Sequence, residues 1–178
     1  MEIKTIVTGV LDENCYVLIK NNTCLVVDPG DNYLKIKEAV ADNKVLAVLI
    51  THSHFDHIGA LRNFLTKRSI KIFKKSNLME QTYTVGDFSF DCLYTPGHSK
   101  DSVSFYFKDE KIMFVGDFVF KEGIGRYDLP GGDFDELKAS LSKLKKYDDD
   151  ITLYSGHGEV TTLKYEKENN TYLKLYLK

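Results

Sequence analysis

Residues 51–60 read THSHFDHIGA. Three of the five histidines in the 178-residue chain fall here, His52, His54 and His57, with Asp56 among them. The other two are His98, in TPGHS, and His157, in SGHGE. The segment before the cluster, KVLAVLITH, is apolar and largely β-branched, and it reads as a buried strand that ends at His52. The segment after it, HIGALRNFLTK, reads as a helix with Ile58, Leu61 and Leu65 at spacings of three and four.

Working outward, EIKTIVTG, CYVLIK and TCLVVD read as opening strands, with turn residues at Asp12–Asn14 and Asn21–Asn22. DPGDN turns into a helix over NYLKIKEAVAD, whose buried stripe includes Leu34, Ala39 and Val40. IKIFK, FSFDCLYT, SVSFYFK and KIMFVGD follow as strands. GGDFDELKASLSKLKKY is the clearest helix, with Asp133 as N-cap and Phe134, Leu137, Leu141 and Leu144 on one face. ITLYSGHG is a last strand that delivers His157, and VTTLKYEKENN reads as helical. Almost every histidine thus lies just past the C-terminal end of an expected strand, and so does Asp117. Loops at the ends of a rigid sheet are where distant residues gather into one site. Gly97, Gly116, Gly156 and Gly158 flank these positions, where backbone must turn sharply or approach a crowded centre.

The length fits one domain over residues 1–178. Hydrophobic residues are 43% and charged residues 28%, ordinary for a globular protein, and the net charge of −2 offers no basic field for nucleic acid or anionic membrane. No apolar run approaches the roughly 18 residues of a membrane span. The N-terminus lacks the apolar core of a signal peptide. Cys15, Cys24 and Cys92 are odd in number and lack CxxC spacing, which argues against a disulfide framework and for core packing. These features together set the expectation of a cytoplasmic protein.

Neutral imidazole and carboxylate are good ligands for zinc and other first-row divalent metals. Histidines at i and i+2 on extended backbone point the same way and can grip one ion. Asp56 and His57, at the entry to the helix, can reach a second. One cluster has too few ligands for two ions, and His98, Asp117 and His157 supply the remainder. A carboxylate has two oxygens, so one Asp can serve both.

THSHFDH, TPGHS, VGDFVF and SGHGE, in this order, resemble the motifs of the metallo-β-lactamase superfamily over nearly the whole chain. The resemblance implies an α+β fold, a four-layer αββα sandwich of two mixed β-sheets flanked by helices, with a binuclear site at one edge. It implies His52, His54, His98 and a bridging Asp117 around one metal, and Asp56, His57, Asp117 and His157 around the other. All seven positions match. Zinc is the first expectation, with iron or manganese also suited to the ligands.

ENCY (13–16), VVDPG (26–30) and GDFVFKEGIGRYDLPGGD (116–133) are similar, more closely, to glyoxalase II, the hydroxyacylglutathione hydrolases. The short, single-domain group is the nearest match, since full-length glyoxalase II continues into a C-terminal helical domain that helps grip glutathione. TTLKYEKENNTYL resembles the short group's ending, although Thr171 stands where those proteins usually carry proline. By the same resemblance Arg126, nine positions after the bridging Asp, contacts the thiol carrier, with Tyr127 as a weaker candidate. A guanidinium suits a substrate carboxylate, but Arg126 can equally pair with Asp128 and hold its loop. Asp28 is expected to fix the loop beneath the metals.

The activity implied is hydrolysis of an S-acyl glutathione, such as S-D-lactoylglutathione, or of a related small-molecule thioester, through a hydroxide shared by two metals and oriented by Asp56. With every histidine committed to metal, none is spare as a general acid. That favours a thiolate leaving group, from a thiol of pKa near 8.5, over an amine. Class B β-lactamases lack the bridging Asp, and flavodiiron proteins carry Glu for the second His and a flavin domain. A lactonase with the same ligands and a persulfide dioxygenase with a single iron remain as alternatives. Oligomeric state is not legible.

Overall fold

The strand that feeds His52, β4 (Lys44–Leu49), lies between β3 (Thr23–Val27) and β5 (Lys71–Phe73) and is parallel to both. Antiparallel strands β2 (Glu13–Lys20) and β1 (Glu2–Thr8) complete this mixed sheet on the far side of β3. The second sheet runs in the order β13 (Thr161–Thr162), β12 (Thr152–Ser155), β9 (Ile112–Gly116), β8 (Val103–Phe107), β7 (Phe88–Tyr94) and β6 (Thr82–Val85). Its β9 and β12 are parallel and its other pairs antiparallel. A small hairpin joins β10 (Val119–Phe120) to β11 (Gly123–Ile124). These elements come from a computed structural model, which describes residues 1–66 and 69–177.

Strand periodicity sorts the core into three layers. From β2, Tyr16 and Leu18 face the second sheet while Cys15 and Val17 face outward; from β3, Leu25 and Val27 face in while Cys24 and Val26 face out. Phe88, Phe90, Phe105, Phe107 and Phe114 fill the space between the sheets. The outer face of the first sheet is covered by α1 (Tyr33–Val40) and α3 (Arg62–Leu65), through Ile36, Val40 and Phe64. The outer face of the second is covered by α4 (Phe134–Ser142), α5 (Leu163–Asn169) and α6 (Thr171–Tyr176), through Leu137, Leu141, Leu163 and Leu173. The result is the expected αββα sandwich. Burial on both faces is why the inner strands read as continuous apolar runs rather than alternating ones. Cys15, Cys24 and Cys92 are buried free thiols.

Asp133 caps α4 by accepting from the Glu136 amide at 2.9 Å. Leu144 joins the same apolar layer from a short 3₁₀ turn, Lys143–Lys146, rather than from the helix itself. Three local expectations are corrected. Leu34 is 74% exposed, and the buried face of α1 is instead Ile36 and Val40, with Tyr33 and Ala39 alongside. Glu13 and Asn14 are not turn residues but open β2. The helix expected over 57–67 is broken into two single turns, α2 (Phe55–Ile58) and α3, and Leu65 is exposed. The cause is tertiary. Ala60 gives its amide to the carbonyls of Pro29 and Gly30 instead of continuing a helical ladder, and a Cβ on Gly59 would collide with the Gly30 carbonyl. Lys67, the last residue of that expected helix, lies outside the described residues. Among the described residues, no helix is long and apolar enough to cross a membrane.

Candidate metal centre

Strands from both sheets end at one edge of the sandwich, and the candidate residues follow directly. His52 and His54 lie beyond β4, His98 beyond β7, Asp117 beyond β9 and His157 beyond β12. Asp56 and His57 sit in α2. The sheets are stitched together here: Val103 donates its amide to Thr51 O at 2.8 Å, and Asn14 to Gly156 O at 2.7 Å.

The first group is three imidazoles. His54 Nδ1 lies 3.1 Å from His52 Nε2 and 2.9 Å from His98 Nε2. Two of these nitrogens are lone-pair acceptors by exclusion. His98 Nδ1 is 2.6 Å from the Arg126 carbonyl, which only accepts, so the ring proton sits on Nδ1. Thr51 Oγ1 spends its proton on Asp28 Oδ2, at 2.6 Å, so His52 Nδ1 donates to that hydroxyl at 3.1 Å. Burial lowers both His52 and His98 below the ordinary histidine value, which keeps them neutral. Converging lone pairs on neutral rings repel unless a cation lies among them, and oriented neutral imidazole is the form that ligates.

The second group is Asp56, His57 and His157, with ligand atoms all within 4.8 Å of one another. His157 Nδ1 donates to Leu11 O at 3.0 Å, which turns Nε2 toward Asp56 Oδ2 at 3.3 Å. His57 is fully buried. Asp117 lies between the groups: Oδ1 is 3.3 Å from His57 Nε2, and Oδ2 is 3.5 Å from His98 Nε2 and 3.7 Å from His157 Nε2. Burial opposes a charge on His57, but the Asp117 and Asp28 carboxylates outweigh it and raise the ring well above the ordinary value. Burial likewise opposes a charge on Asp117, but His57, with His52 and His157, holds it well below the usual carboxylate range. Among the described residues, Glu13 Oε1, His57 Nε2 and Asp117 Oδ1 are the buried side-chain atoms without a hydrogen-bond partner, and the last two lie 3.3 Å apart where the two groups meet. Such orphans are costly in a finished structure, and a cation held between His57 and Asp117 would satisfy those two. This donor set fits two divalent metal ions.

Beneath the ligands is a supporting layer. Asp28 accepts from Thr51 N at 2.7 Å and from Thr51 Oγ1, and its Oδ2 is 2.9 Å from His57 Nδ1. It does so from a left-handed backbone conformation, φ 45°, a strain tolerated where the surroundings fix it. ENCY supplies a second support that sequence reading did not assign. Asn14 Nδ2 donates to Ser155 O at 3.1 Å and to Gly158 O at 2.9 Å, and Tyr16 donates its hydroxyl to Ser155 O at 2.5 Å. These bonds clamp the loop that carries His157. Glu13 is buried beside them, 3.8 Å from His57 Nδ1. Burial, with the Asp28 carboxylate close by, pushes the Glu13 carboxyl up to about 9, so it holds its proton at neutral pH. The crowding explains two glycines. A Cβ on Gly156 would collide with Asp117 Oδ1 and His57, and one on Gly116, at φ 52°, with Thr51.

Comparison with known proteins accords with this geometry. The family model of the metallo-β-lactamase superfamily matches residues 8–82 and 77–157. A probable metallo-hydrolase of Bacillus subtilis strain 168, YqgX, is 34% identical over 198 aligned positions, covering 93% of this chain and 94% of its own. The chain belongs to the metallo-β-lactamase superfamily. Another member, the hydroxyacylglutathione hydrolase GloC of Haemophilus influenzae, is 28% identical, covering 97% and 98% of the two chains. Among solved members, BLEG-1 B3 metallo-β-lactamase superposes with a TM-score of 0.88 at 31% identity over 97% of this chain and 99% of its own. The di-iron-bound form of TTHA1623 gives 0.84 at 29% over 96% and 100%.

In this superfamily member, His54, Asp56, His98, Asp117 and His157 all open onto one cleft of about 560 Å³. Arg126 also lines it. Its guanidinium, however, is forked onto Asp128, Nε to Oδ1 and Nη2 to Oδ2, each at 2.9 Å. Tyr127 is not part of that lining; its ring packs on Phe134 with centroids 4.6 Å apart.

Proposed function

We propose that this metallo-hydrolase is a glyoxalase II-like thioesterase that cleaves S-acyl glutathione or a related small-molecule thioester. The observation that carries this reading is the pair of ligand groups joined by Asp117 on the floor of an open cleft. His52, His54, His98 and Asp117 would hold one ion; Asp56, His57, His157 and Asp117 would hold the other. When bound, such ions supply a water made acidic enough to ionise near neutral pH and an electrophile for a carbonyl oxygen.

The chain's own residues do the rest. Asp28, Thr51, Arg126 O and Leu11 O fix four of the five imidazoles through their Nδ1 atoms. Asp56, beside His157 and only partly buried, orients the attacking water by accepting a hydrogen bond from it. With His54, His98 and His157 occupied and Arg126 paired, none of the described residues lining the cleft stands ready to protonate a leaving group. A thiolate departs without that help. An oxygenase with a single iron is the second reading, and the self-contained group of three imidazoles favours it. The completeness of the second group favours the hydrolase.

The test is S-D-lactoylglutathione hydrolysis by metal-analysed protein, with a chelator-stripped control. Turnover that is lost on stripping and regained with zinc, manganese or iron supports the reading. No turnover of any thioester by protein holding two metals overturns it. One iron per chain with oxygen consumption on a persulfide would favour the oxygenase.

A further inference from the structure

The walls of the cleft are unlike its floor. Leu11, Phe55, Phe120, Leu129 and Pro130 line it together with Arg126, its only lysine or arginine among the described residues. Phe55 is 71% exposed and Leu11 50%. Large apolar side chains left in water around a concave site mark the part of a ligand that they cover. Arg126 offers that ligand little, because both carboxylate oxygens of Asp128 already occupy its fork. A tripeptide thiol with two carboxylates and an ammonium would find apolar wall where it needs partners, and unpaired polar groups are costly to bury.

We infer that the preferred substrates are uncharged thioesters with an apolar acyl chain of medium length, held on the wall formed by Phe55, Leu11, Phe120, Leu129 and Pro130. This rests on the thioesterase reading and adds the substrate's recognised part to it. The reacting carbonyl lies over the floor while the chain leaves water along the wall. Each buried methylene then raises kcat/KM by about fourfold until the wall is covered.

The experiment is a chain-length series. Acetyl, butyryl and hexanoyl thioesters of N-acetylcysteamine are compared with S-D-lactoylglutathione on metal-loaded protein. The inference expects hexanoyl to exceed acetyl by at least about tenfold and to exceed S-D-lactoylglutathione. In the double variant Phe55→Ser, Leu129→Ser the slope against chain length should fall by half or more, with metal content as in the parent protein. Calorimetry with a neutral hexyl thioether adds a readout without turnover: binding with a negative heat-capacity change that shrinks in the variant. A flat series, a preference for S-D-lactoylglutathione, or a slope untouched by the double variant would overturn the inference while leaving the thioesterase intact. Failure of every thioester would instead strike the thioesterase reading, and thioether binding without the heat-capacity change would then also overturn the apolar wall.

Discussion

The floor of the cleft and its rim are built on opposite plans. On the floor, His52, His57 and His98 are buried, and every ring but His54 has its outer nitrogen tied to a named partner. On the rim, Phe55 and Leu11 stand in solvent, and the Arg126 guanidinium is paired with Asp128, two residues away. The floor is therefore preorganised, as a centre must be if it is to act on charge developing in a reaction. The rim is adaptable. Substitutions on the floor should cut rate on every substrate, whereas substitutions on the rim should redistribute rate among substrates.

The sharpest way to break that contrast is Asp117→Asn. It should empty both metal groups and lower kcat/KM by about 10³-fold or more, the scale of losing a main electrostatic element. Metal analysis and kinetics on one preparation decide it; full metal content with full rate would end the binuclear assignment. Asp28→Asn comes next. It disturbs the bonds to Thr51 and His57 while leaving the seven proposed ligands in place, so metal affinity should drop by about 10- to 100-fold. Competition with a chromogenic chelator measures this, and an unchanged affinity would remove Asp28 from the support.

Asn14→Ala should be more selective. It frees the loop that carries His157, so one of two ions should bind about tenfold more weakly. Equal weakening of both would show that Asn14 supports the whole edge rather than one group. Arg126→Ala should have the smallest effect. Because the side chain is an exposed ion pair, the melting temperature should not move, and KM for neutral thioesters should change by less than about twofold. A rise in KM confined to S-D-lactoylglutathione would show that Arg126 leaves Asp128 to bind the thiol carrier.

That the candidate residues gather at one edge was legible in the sequence, because the motifs that carry them each follow an apolar strand that ends there. The sandwich was legible because strands covered on both faces must be apolar throughout. What escaped reading depends on partners remote in sequence. The break at Gly59–Leu61 exists because Pro29 and Gly30 claim the Ala60 amide. Asn14 and Tyr16 act on carbonyls some 140 positions away, and no local pattern announces that. Leu34 fits a helical stripe by spacing, yet the helix turns the Ile36 and Val40 face inward. The rim is hardest of all, since a Phe in FDHI looks like an ordinary core residue until its exposure is seen.

In a binuclear thioesterase, metal content and thioester turnover travel together. The most direct measurement counts metal ions per chain and thioester hydrolysis in one preparation, before chelation, after it, and after metal is restored. The expected result is two ions per chain, loss of turnover with their removal, and recovery with their return. Turnover that persists in stripped protein, or its absence from protein holding two ions, would contradict it.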